Sequence, residues 1–321
     1  MTALVTGAAG FIGFHTTKAL LARGEAVIGI DNLNDYYDVG LKEARLAQLE
    51  GQPGFRFIKG DFSDKDAMLA LADEDITHIV HLGAQAGVRY SLVNPYSYVT
   101  ANVMGQVVML ELARRLKGLK TMVYASSSSV YGGNTKLPFA VGDAVDHPVS
   151  LYAATKRADE LISHTYAHLY HIPLVGLRFF TVYGPWGRPD MAPMLFAKAM
   201  LAGDPIKVFN DGEMWRDFTF IDDIVAGVLS AMDAPPEATP PHAVYNLGNN
   251  NSEKLTDFIA ALEDALGVKA EKVFEPIQPG DVVSTYADIE ATRAALDFSP
   301  KTPMREGVRK FADWYRSYYR V

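Results

Sequence analysis

The residues of this chain best suited to proton transfer are Tyr152 and Lys156, in the segment Tyr-Ala-Ala-Thr-Lys. In an α-helix, positions four apart lie side by side on one face. A cation beside a phenol favours the phenolate and lowers a pKa that is ordinarily about 10, so the pair could act as a base near neutral pH. The same spacing also occurs on ordinary amphipathic helices, so its meaning depends on the rest of the chain.

A glycine-rich turn near the N-terminus indicates a dinucleotide site. The segment Thr6-Gly-Ala-Ala-Gly-Phe-Ile-Gly13 lies between a predicted first strand and a predicted first helix. Gly7, Gly10 and Gly13 suit a tight turn, close approach of the backbone to a pyrophosphate, and close packing of helix on strand. The N-terminus of the helix offers free N–H groups to the anion.

The acidic residues that follow the next two strands refine the prediction. Asp31 ends the second predicted strand, where its carboxylate can accept hydrogen bonds from an adenosine ribose and repel a 2′-phosphate. This favours NAD over NADP, although Asp31 could instead be a simple turn residue. Asp61 follows the third strand and is either a contact to the adenine edge or part of a helix cap.

Short apolar strands alternate with helices through the first half of the chain, which predicts an α/β fold with a Rossmann-type, doubly wound parallel sheet. The predicted strands are Ala3–Thr6, Ala26–Ile30, Phe55–Lys59, His78–Leu82, Thr121–Ala125 and Leu174–Leu177. The predicted helices are Phe11–Ala22, Asp64–Ala72, Asn94–Lys117 and Leu151–Tyr170.

The regular alternation ends after Arg178, where residues 179–194 are rich in glycine and proline and predict an irregular connection. We therefore expect an NAD-binding Rossmann domain over residues 1–178, with later returns at roughly 217–247, and a smaller, interleaved C-terminal region over 179–321 that binds substrate. Within that region we expect a loop at Ala234–Ala243 and helices at Ser252–Leu266 and Pro303–Arg320.

Composition excludes several classes of function. The chain has 321 residues with 38 acidic against 30 basic ones, a net charge of −8 that speaks against nucleic acid and anionic membranes as partners. It has no cysteine, and its eight histidines lack metal-ligand spacing, so we expect no metal site. The first residues read directly as a strand, and no apolar run is long enough to span a membrane, so we expect a cytoplasmic protein.

Taken in order, these motifs resemble the extended short-chain dehydrogenase/reductase family, and within it the NAD-dependent nucleotide-sugar epimerases. The segments that carry the resemblance are Thr6–Gly13, Asp31-Asn-Leu, His81-Leu-Gly-Ala-Gln, Tyr124–Gly132, Tyr152–Lys156, Arg178–Pro185 and Arg216–Asp223. The run Tyr183–Met191 is most similar to the branch that acts on UDP-glucuronate at C4.

The resemblance implies a reversible oxidation at C4 of a UDP-sugar by bound NAD. Tyr152 would be the acid and base, and Lys156 would hold the nicotinamide ribose. Ser127 would hydrogen-bond the reacting oxygen beside Ser128 and Ser129, with Ser126 and Ser128 as open alternatives for that role. The implied cofactor contacts are Gly7, Gly10, Phe11, Ile12, Gly13, Asp31, Asn32, Asp61, Phe62, Leu82, Ala84, Asn102, Tyr152 and Lys156.

The two residues after the catalytic serine decide the fate of the 4-ketosugar. Related 4,6-dehydratases carry an Asp-Glu pair there, and decarboxylases keep a glutamate at the second position. This chain has Ser128 and Ser129 instead, so no carboxylate is available to deprotonate C5 or to assist loss of CO₂. The sequence therefore favours epimerisation over both alternatives.

Several arginines are candidates for holding the substrate. Arg188 could grip a uronate carboxylate through two parallel hydrogen bonds and fix its rotation, unless it is a surface residue of its loop. The resemblance implies that Arg216 pairs with the diphosphate, that Thr181 lies near it and that Asp281 contacts the uridine ribose. Arg89 is a further candidate for a sugar contact. Gln278 stands where hexose epimerases usually have arginine, which puts one diphosphate contact in doubt.

Three other functions stay open at this point. UDP-galactose 4-epimerase performs the same chemistry on a neutral sugar, UDP-glucuronate decarboxylase shares the first step, and a non-catalytic NAD-binding scaffold would need no proton-transfer residues. The helices Asn94–Lys117 and Leu151–Tyr170 match those that pair into a four-helix interface in dimers of the family, so we expect a homodimer.

Overall fold

A seven-stranded parallel sheet forms the centre of the computed structural model, which describes residues 1–278 and 280–321. The strands of the chain are β1 (Thr2–Thr6), β2 (Ala26–Asp31), β3 (Phe55–Lys59), β4 (His78–His81), β5 (Thr121–Ser127), β6 (Leu174–Phe179), β7 (Thr181–Tyr183), β8 (Ile206–Phe209), β9 (Trp215–Phe220), β10 (His242–Leu247), β11 (Ser252–Lys254) and β12 (Lys272–Glu275). The central sheet has the order β10-β6-β5-β4-β1-β2-β3. The order in which strands are added to the sheet thus reverses between β1 and β4, and ligands of such sheets bind beyond the carboxyl ends of the strands at that point.

Helices cover both faces of this sheet and extend beyond it. They are α1 (Phe11–Ala22), α2 (Val39–Leu46), α3 (Lys65–Leu69), α4 (Pro95–Tyr98), α5 (Gly105–Ala113), α6 (Leu151–Tyr170), α7 (Ala192–Ala202), α8 (Ile221–Asp233), α9 (Leu255–Leu266), α10 (Glu290–Leu296) and α11 (Met304–Tyr319). A π-helical turn, Val99–Met104, joins α4 to α5, and short 3₁₀ turns span Arg89–Leu92, Ser128–Tyr131 and Asn210–Gly212.

Two small sheets and their helices form the rest of the described chain. One sheet has the order β11-β9-β7, and the other pairs β12 with β8. Apolar side chains of α7, α9 and α11 pack with these strands in one core, which includes Phe196, Phe218, Phe258 and Phe311. Two further cores occupy the faces of the central sheet. The pairs β6–β5 and β6–β10 connect the C-terminal half to the central sheet.

The α/β fold with a doubly wound parallel sheet is confirmed, and α1 and α6 have the predicted bounds. Both helices carry clear start signals. Gly10 precedes α1 in extended conformation, and the side chain of Ser150 caps α6 by accepting a hydrogen bond from Ala153 N at 3.1 Å.

Some predicted elements differ from the observed ones. Ser252–Lys254 forms β11 against β9 instead of the first turn of a helix, because the helical apolar pattern begins only at Leu255. The predicted helix from Asn94 is interrupted by the π turn and ends at Ala113. Within the segment 217–247, β9 belongs to the three-stranded sheet, β10 belongs to the central sheet, and α8 contributes side chains to the cores of both sheets.

Candidate active site

The carboxyl ends of the central strands open into a cavity of about 1170 Å³. Every site residue predicted from the sequence lines it except Asn102. The side chain of Asn102 is buried in the π turn, where it bonds both backbone groups of Gln85 and donates to Thr155 Oγ1 at 3.0 Å. Asn102 therefore fixes the loop after β4 onto α6 from behind the cavity wall.

The glycine turn between β1 and α1 has room for backbone only. Gly7 has a left-handed φ of +69°, and a Cβ there would lie 2.9 Å from the backbone of Gly83. A Cβ on Gly13 would overlap the carbonyl oxygen of Gly7. Helix α1 begins after Gly10 without a side-chain cap, so its first N–H groups face the cavity side of the turn. This cradle fits a pyrophosphate.

Carboxylates are held in place at the ends of β2 and β3. Asp31 accepts hydrogen bonds from Ala9 N at 3.1 Å and from Leu33 N at 2.9 Å. Asp61 accepts one from Asn32 Nδ2 at 3.0 Å and two from Ser63. Burial alone would raise the pKa of Asp61, but these hydrogen bonds lower it overall. The helix cap considered for this segment is Asp64, not Asp61.

Helix α6 carries Tyr152 and Lys156 into the cavity on one face. The Tyr152 ring packs edge-on against Tyr98, with 6.1 Å between ring centroids. Lys156 is almost fully buried, and its Nζ donates to Asp159 Oδ2 at 3.1 Å. Asp159, three residues further along the helix, was not singled out from the sequence; its spacing from Lys156 was a signal that could have found it.

The hydroxyl groups of the serines at 126–129 have different hydrogen-bond partners. Ser126 Oγ donates to the buried Glu160 Oε1 at 2.6 Å, so this hydroxyl is already engaged with a side chain of α6. Ser127 Oγ instead accepts hydrogen bonds from Ser129 N at 3.2 Å and from Ser129 Oγ at 2.8 Å. These contacts favour Ser127 over Ser126 as the serine available to a ligand.

A buried ion pair supports the helix that carries Tyr152. Arg178 on β6 donates from Nε and Nη2 to the two oxygens of Glu160 on α6, at 2.8 and 2.9 Å. Burial alone would raise the pKa of Glu160, but hydrogen bonds from Arg178, Ser126 and Arg157 lower it overall. A bidentate pair of this kind fixes α6 against the sheet in one register.

Arg188, the predicted ligand of a uronate carboxylate, is paired within its own loop. Arg188 Nε and Nη2 donate to the two oxygens of Asp190, at 3.0 and 2.6 Å, and Asp190 also accepts a hydrogen bond from Tyr36 OH at 3.0 Å. The Nε/Nη2 edge of the guanidinium is therefore used within the loop, while Nη1 and the second hydrogen of Nη2 have no part in this pair. Arg188 lines the cavity.

Arg45 is a structural residue that sequence reasoning missed. It is fully buried on α2 and binds the loop that carries Arg188 through three hydrogen bonds, to Trp186 O at 3.1 and 2.6 Å and to Gly187 O at 3.2 Å. It also donates to Ala9 O in the glycine turn at 2.9 Å. One side chain thus connects the glycine turn to the loop at residues 184–190.

The remaining predicted substrate residues lie at the other side of the cavity. Arg89 Nη2 and Asp281 Oδ2 form an ion pair of 2.9 Å at the rim, between the loop after β4 and the segment after β12. Arg216 donates to the carbonyl oxygens of Trp215 and Val283 at 2.8 and 3.1 Å. Among the described residues no carboxylate lies within ion-pair distance of Arg216, so its charge is available to an anion. Thr181 lines the same part.

Two features are absent from the part of the chain that the structure describes, a cluster of metal ligands and a membrane-spanning helix. No group of three or more His, Cys, Asp or Glu side chains is arranged to hold a metal ion. In the same part of the chain, no helix combines the length and apolar character needed to cross a membrane.

The fold and the cavity define a dinucleotide-binding α/β protein with a Tyr–Lys–Ser site at the carboxyl ends of its strands. Residues 3–248 match the model of the NAD dependent epimerase/dehydratase family, and the chain belongs to this family. The family predicted from the sequence is thereby confirmed.

Several proteins of this family are similar to the chain over nearly its whole length. The chain is 48% identical to UDP-glucuronate 4-epimerase 4 of Arabidopsis thaliana, over 99% of this chain and 76% of that protein. A solved UDP-glucuronic acid 4-epimerase from Bacillus cereus, in complex with UDP-glucuronic acid and NAD, is 36% identical with a TM-score of 0.93, covering 99% and 100% of the two chains. A UDP-glucose 4-epimerase from Thermotoga maritima is 28% identical with a TM-score of 0.90, covering 99% and 100%.

Proposed function

We propose that this protein interconverts UDP-glucuronate and UDP-galacturonate by NAD-dependent epimerisation at C4. The observation that carries the proposal is a Tyr–Lys–Ser site whose serine is followed by Ser128 and Ser129 and by no carboxylate. The 48% identity to a UDP-glucuronate 4-epimerase supports the choice of substrate.

The cavity fits NAD at the end formed by the glycine turn and Asp31. Gly7, Gly10 and Gly13 leave the backbone of the turn open to a pyrophosphate, and the fixed carboxylate of Asp31 suits the two ribose hydroxyls of NAD. Bound NAD would accept the hydride from C4 and then return it, so that NAD would be regenerated in each turnover. Asp61, Phe62, Leu82 and Ala84 line the adjoining wall.

The residues of the chain would then handle the proton and the orientation of the sugar. Tyr152 Oη would take the proton of the 4-hydroxyl and return it to the 4-keto oxygen after the ketosugar has turned its other face. Lys156 would stabilise the phenolate by its charge, and Ser127 would donate a hydrogen bond to the reacting oxygen. Arg216 would hold the diphosphate while the sugar turns.

Arg188 enters this proposal in a modified form. Asp190 uses the Nε/Nη2 edge, so Arg188 would reach the substrate carboxylate through its Nη1/Nη2 edge. We expect Arg188→Ala to weaken binding of UDP-glucuronate far more than binding of UDP, measured by calorimetry. An equal loss for both ligands would remove Arg188 from carboxylate recognition.

UDP-galactose 4-epimerase is the second candidate, because a UDP-glucose 4-epimerase shares the fold at a TM-score of 0.90. The deciding experiment incubates the purified protein with each UDP-sugar and separates the products by chromatography. The proposal expects UDP-galacturonate from UDP-glucuronate, without UDP-xylose and without net NADH. UDP-xylose as the main product would mean a decarboxylase, and conversion of UDP-galactose alone would mean the second candidate.

A homodimer in the cytoplasm is part of the proposal. Apolar side chains on α4, on the π turn and on α6 are exposed, which supports a helical interface between two copies. They are Tyr96, Val99, Met104, Leu161 and Leu169. Light scattering should give twice the mass of the chain, and Leu161→Glu with Leu169→Glu should give the monomer.

The division into an NAD-binding domain over residues 1–178 and a substrate-binding region over 179–321 also stays a proposal. The separate apolar core around Phe218 and Phe258 supports it. In limited proteolysis, added UDP should protect cleavage sites in 179–321 more than those in 1–178.

A further inference from the structure

The buried carboxylate beside Lys156 has no part in the mechanism above. Asp159 and Lys156 are both almost fully buried, with side-chain exposures of 1% and 4%. Among the described residues, the only hydrogen-bond partner of Lys156 Nζ is Asp159 Oδ2, and Asp159 Oδ1 has no partner at all. The ammonium is therefore the charge that compensates this carboxylate.

The position of Asp159 on α6 matters for Tyr152. Tyr152 lies one turn before Lys156 and Asp159 lies almost one turn after it, so the ammonium stands between a phenol and a carboxylate. A lone ammonium would stabilise the phenolate with its full field. An ammonium paired at 3.1 Å with a carboxylate acts on the phenol as a dipole, whose effect is weaker.

We propose that Asp159 is a positioning residue of the proton-transfer site, which shares the ammonium of Lys156 with Tyr152 and so sets how readily Tyr152 gives and takes its proton. The inference rests on the proposed epimerase function, in which one tyrosine must act as base in one half-reaction and as acid in the other. Such a group works best with a pKa near the operating pH. An unpaired ammonium would favour the phenolate more strongly, and Asp159 moderates that field.

The neighbours from the central sheet carry little competing charge. Burial, and then the charge of Lys156, lower the pKa of His81 on β4 to about 3, so this ring is neutral and bonds Thr6 Oγ1. Burial raises the pKa of Tyr124 on β5 well above its usual range. Burial lowers the pKa of His242 on β10 to about 4.

The charged neighbours compensate each other. Glu160 on α6 and Arg178 on β6 form the bidentate pair described above, and Arg157 joins Glu160 at 3.0 Å. Burial raises the pKa of Asp159 to about 6, while Lys156 opposes that rise. Asp159 is therefore the group in this cluster whose charge changes within the working pH range.

The test measures the ionisation of Tyr152 directly. The variant Asp159→Asn removes the charge and keeps nearly the same shape, and Asp159→Ser removes the charge with a smaller side chain, in case the first variant does not fold. The phenolate absorbance of each protein is titrated against the same protein carrying Tyr152→Phe, so that the difference reports Tyr152 alone. Asp264→Asn is the control, because Asp264 is an exposed partner of Arg305.

We expect both charge-removing variants to move the Tyr152 titration to lower pH by about one unit, with no shift in the control. The acid limb of kcat/KM for UDP-glucuronate should move with it, and Asp159→Glu should restore most of the wild-type position. Below about pH 6, where Asp159 takes up its proton, the wild-type and Asp159→Asn profiles should converge.

A Tyr152 titration that stays at the wild-type pH in both variants would overturn the proposal, even if the rate falls, because a packing role lowers rate without moving an ionisation. The absorbance titration needs no substrate. A protein that fails to epimerise UDP-glucuronate would thus refute the proposed function, while the titration would still decide the role of Asp159.

Discussion

The two ends of the cavity differ in the sequence separation of the residues that form their hydrogen bonds. At the cofactor end, formed by Gly7, Gly10, Gly13 and Asp31, the hydrogen bonds that fix the Asp31 carboxylate come from Ala9 N, 22 residues away, and from Leu33 N, two residues away. At the substrate end, formed by residues 184–190 with Arg89, Arg216 and Asp281, they join segments 141 residues apart at Arg45 and Trp186, and 192 apart at Arg89 and Asp281.

The difference lies also in the chemistry of the contacts. At the cofactor end, backbone segments approach so closely that a Cβ does not fit, and glycine is therefore required there. The substrate end is held by charged side chains on carbonyl oxygens and carboxylates. The cofactor end is a fixed backbone cradle, whereas the substrate end is held by side-chain contacts that can separate. This arrangement suits a reaction in which the sugar rotates within the site while the cofactor stays bound.

The largest effect should follow from filling the backbone cradle. In Gly13→Val the side chain would overlap the carbonyl of Gly7, so the turn cannot close and bound NAD should be lost, together with all measurable activity. The nucleotide released from denatured protein measures this. Gly118→Val is the matched control, since a Cβ at Gly118 meets nothing within 4 Å. Retention of NAD by the Gly13 variant would mean that the turn is not the cradle.

The next effect separates two adjacent serines. Ser127→Ala should lower kcat about a hundred- to a thousandfold, as the loss of one donor to a reacting oxygen does, with little change in stability. Ser126→Ala should keep kcat and lower the free energy of unfolding by about 1–3 kcal/mol, because Glu160 loses a buried hydrogen bond. Steady-state kinetics and urea unfolding of both variants check this. The reverse pattern would assign the catalytic role to Ser126.

A smaller effect is expected where the two ends meet. Arg45→Met leaves the carbonyls of Trp186 and Gly187 without donors, which costs about 1–3 kcal/mol for an unsatisfied buried group. Three of its five bonds serve the substrate loop and one serves the glycine turn, so KM for the UDP-sugar should rise about tenfold while bound NAD is retained.

The control for Arg45 is Arg56→Met, which breaks an exposed pair with Glu74. It should change neither KM nor the cofactor content. If Arg45→Met loses NAD and substrate affinity equally, the two ends are one unit and the contrast between them does not hold.

The same difference in sequence separation explains which parts of the site could be predicted from the sequence. The glycine turn, Asp31, and the start and end of α1 and α6 follow from neighbouring residues, so spacing and capping signals were enough to predict them. The partners of Arg188, Arg45 and Lys156 were not predictable in this way. Asp190 stands two residues from Arg188, but their carboxylate and guanidinium meet only in the folded conformation of the loop, in which Trp186 has a φ of +63°.

The smallest effect should come from the rim of the substrate end. The pair of Arg89 and Asp281 is short at 2.9 Å, but the Arg89 side chain is 53% exposed, and exposed pairs contribute about 0–1 kcal/mol. Arg89→Ala should therefore change KM for UDP-glucuronate less than about fivefold, and raising the salt concentration should reduce the difference from wild type. A much larger rise in KM at all salt concentrations would mean that Arg89 binds the sugar directly. That outcome would make Arg89 a direct substrate ligand and not only a partner of Asp281 at the rim.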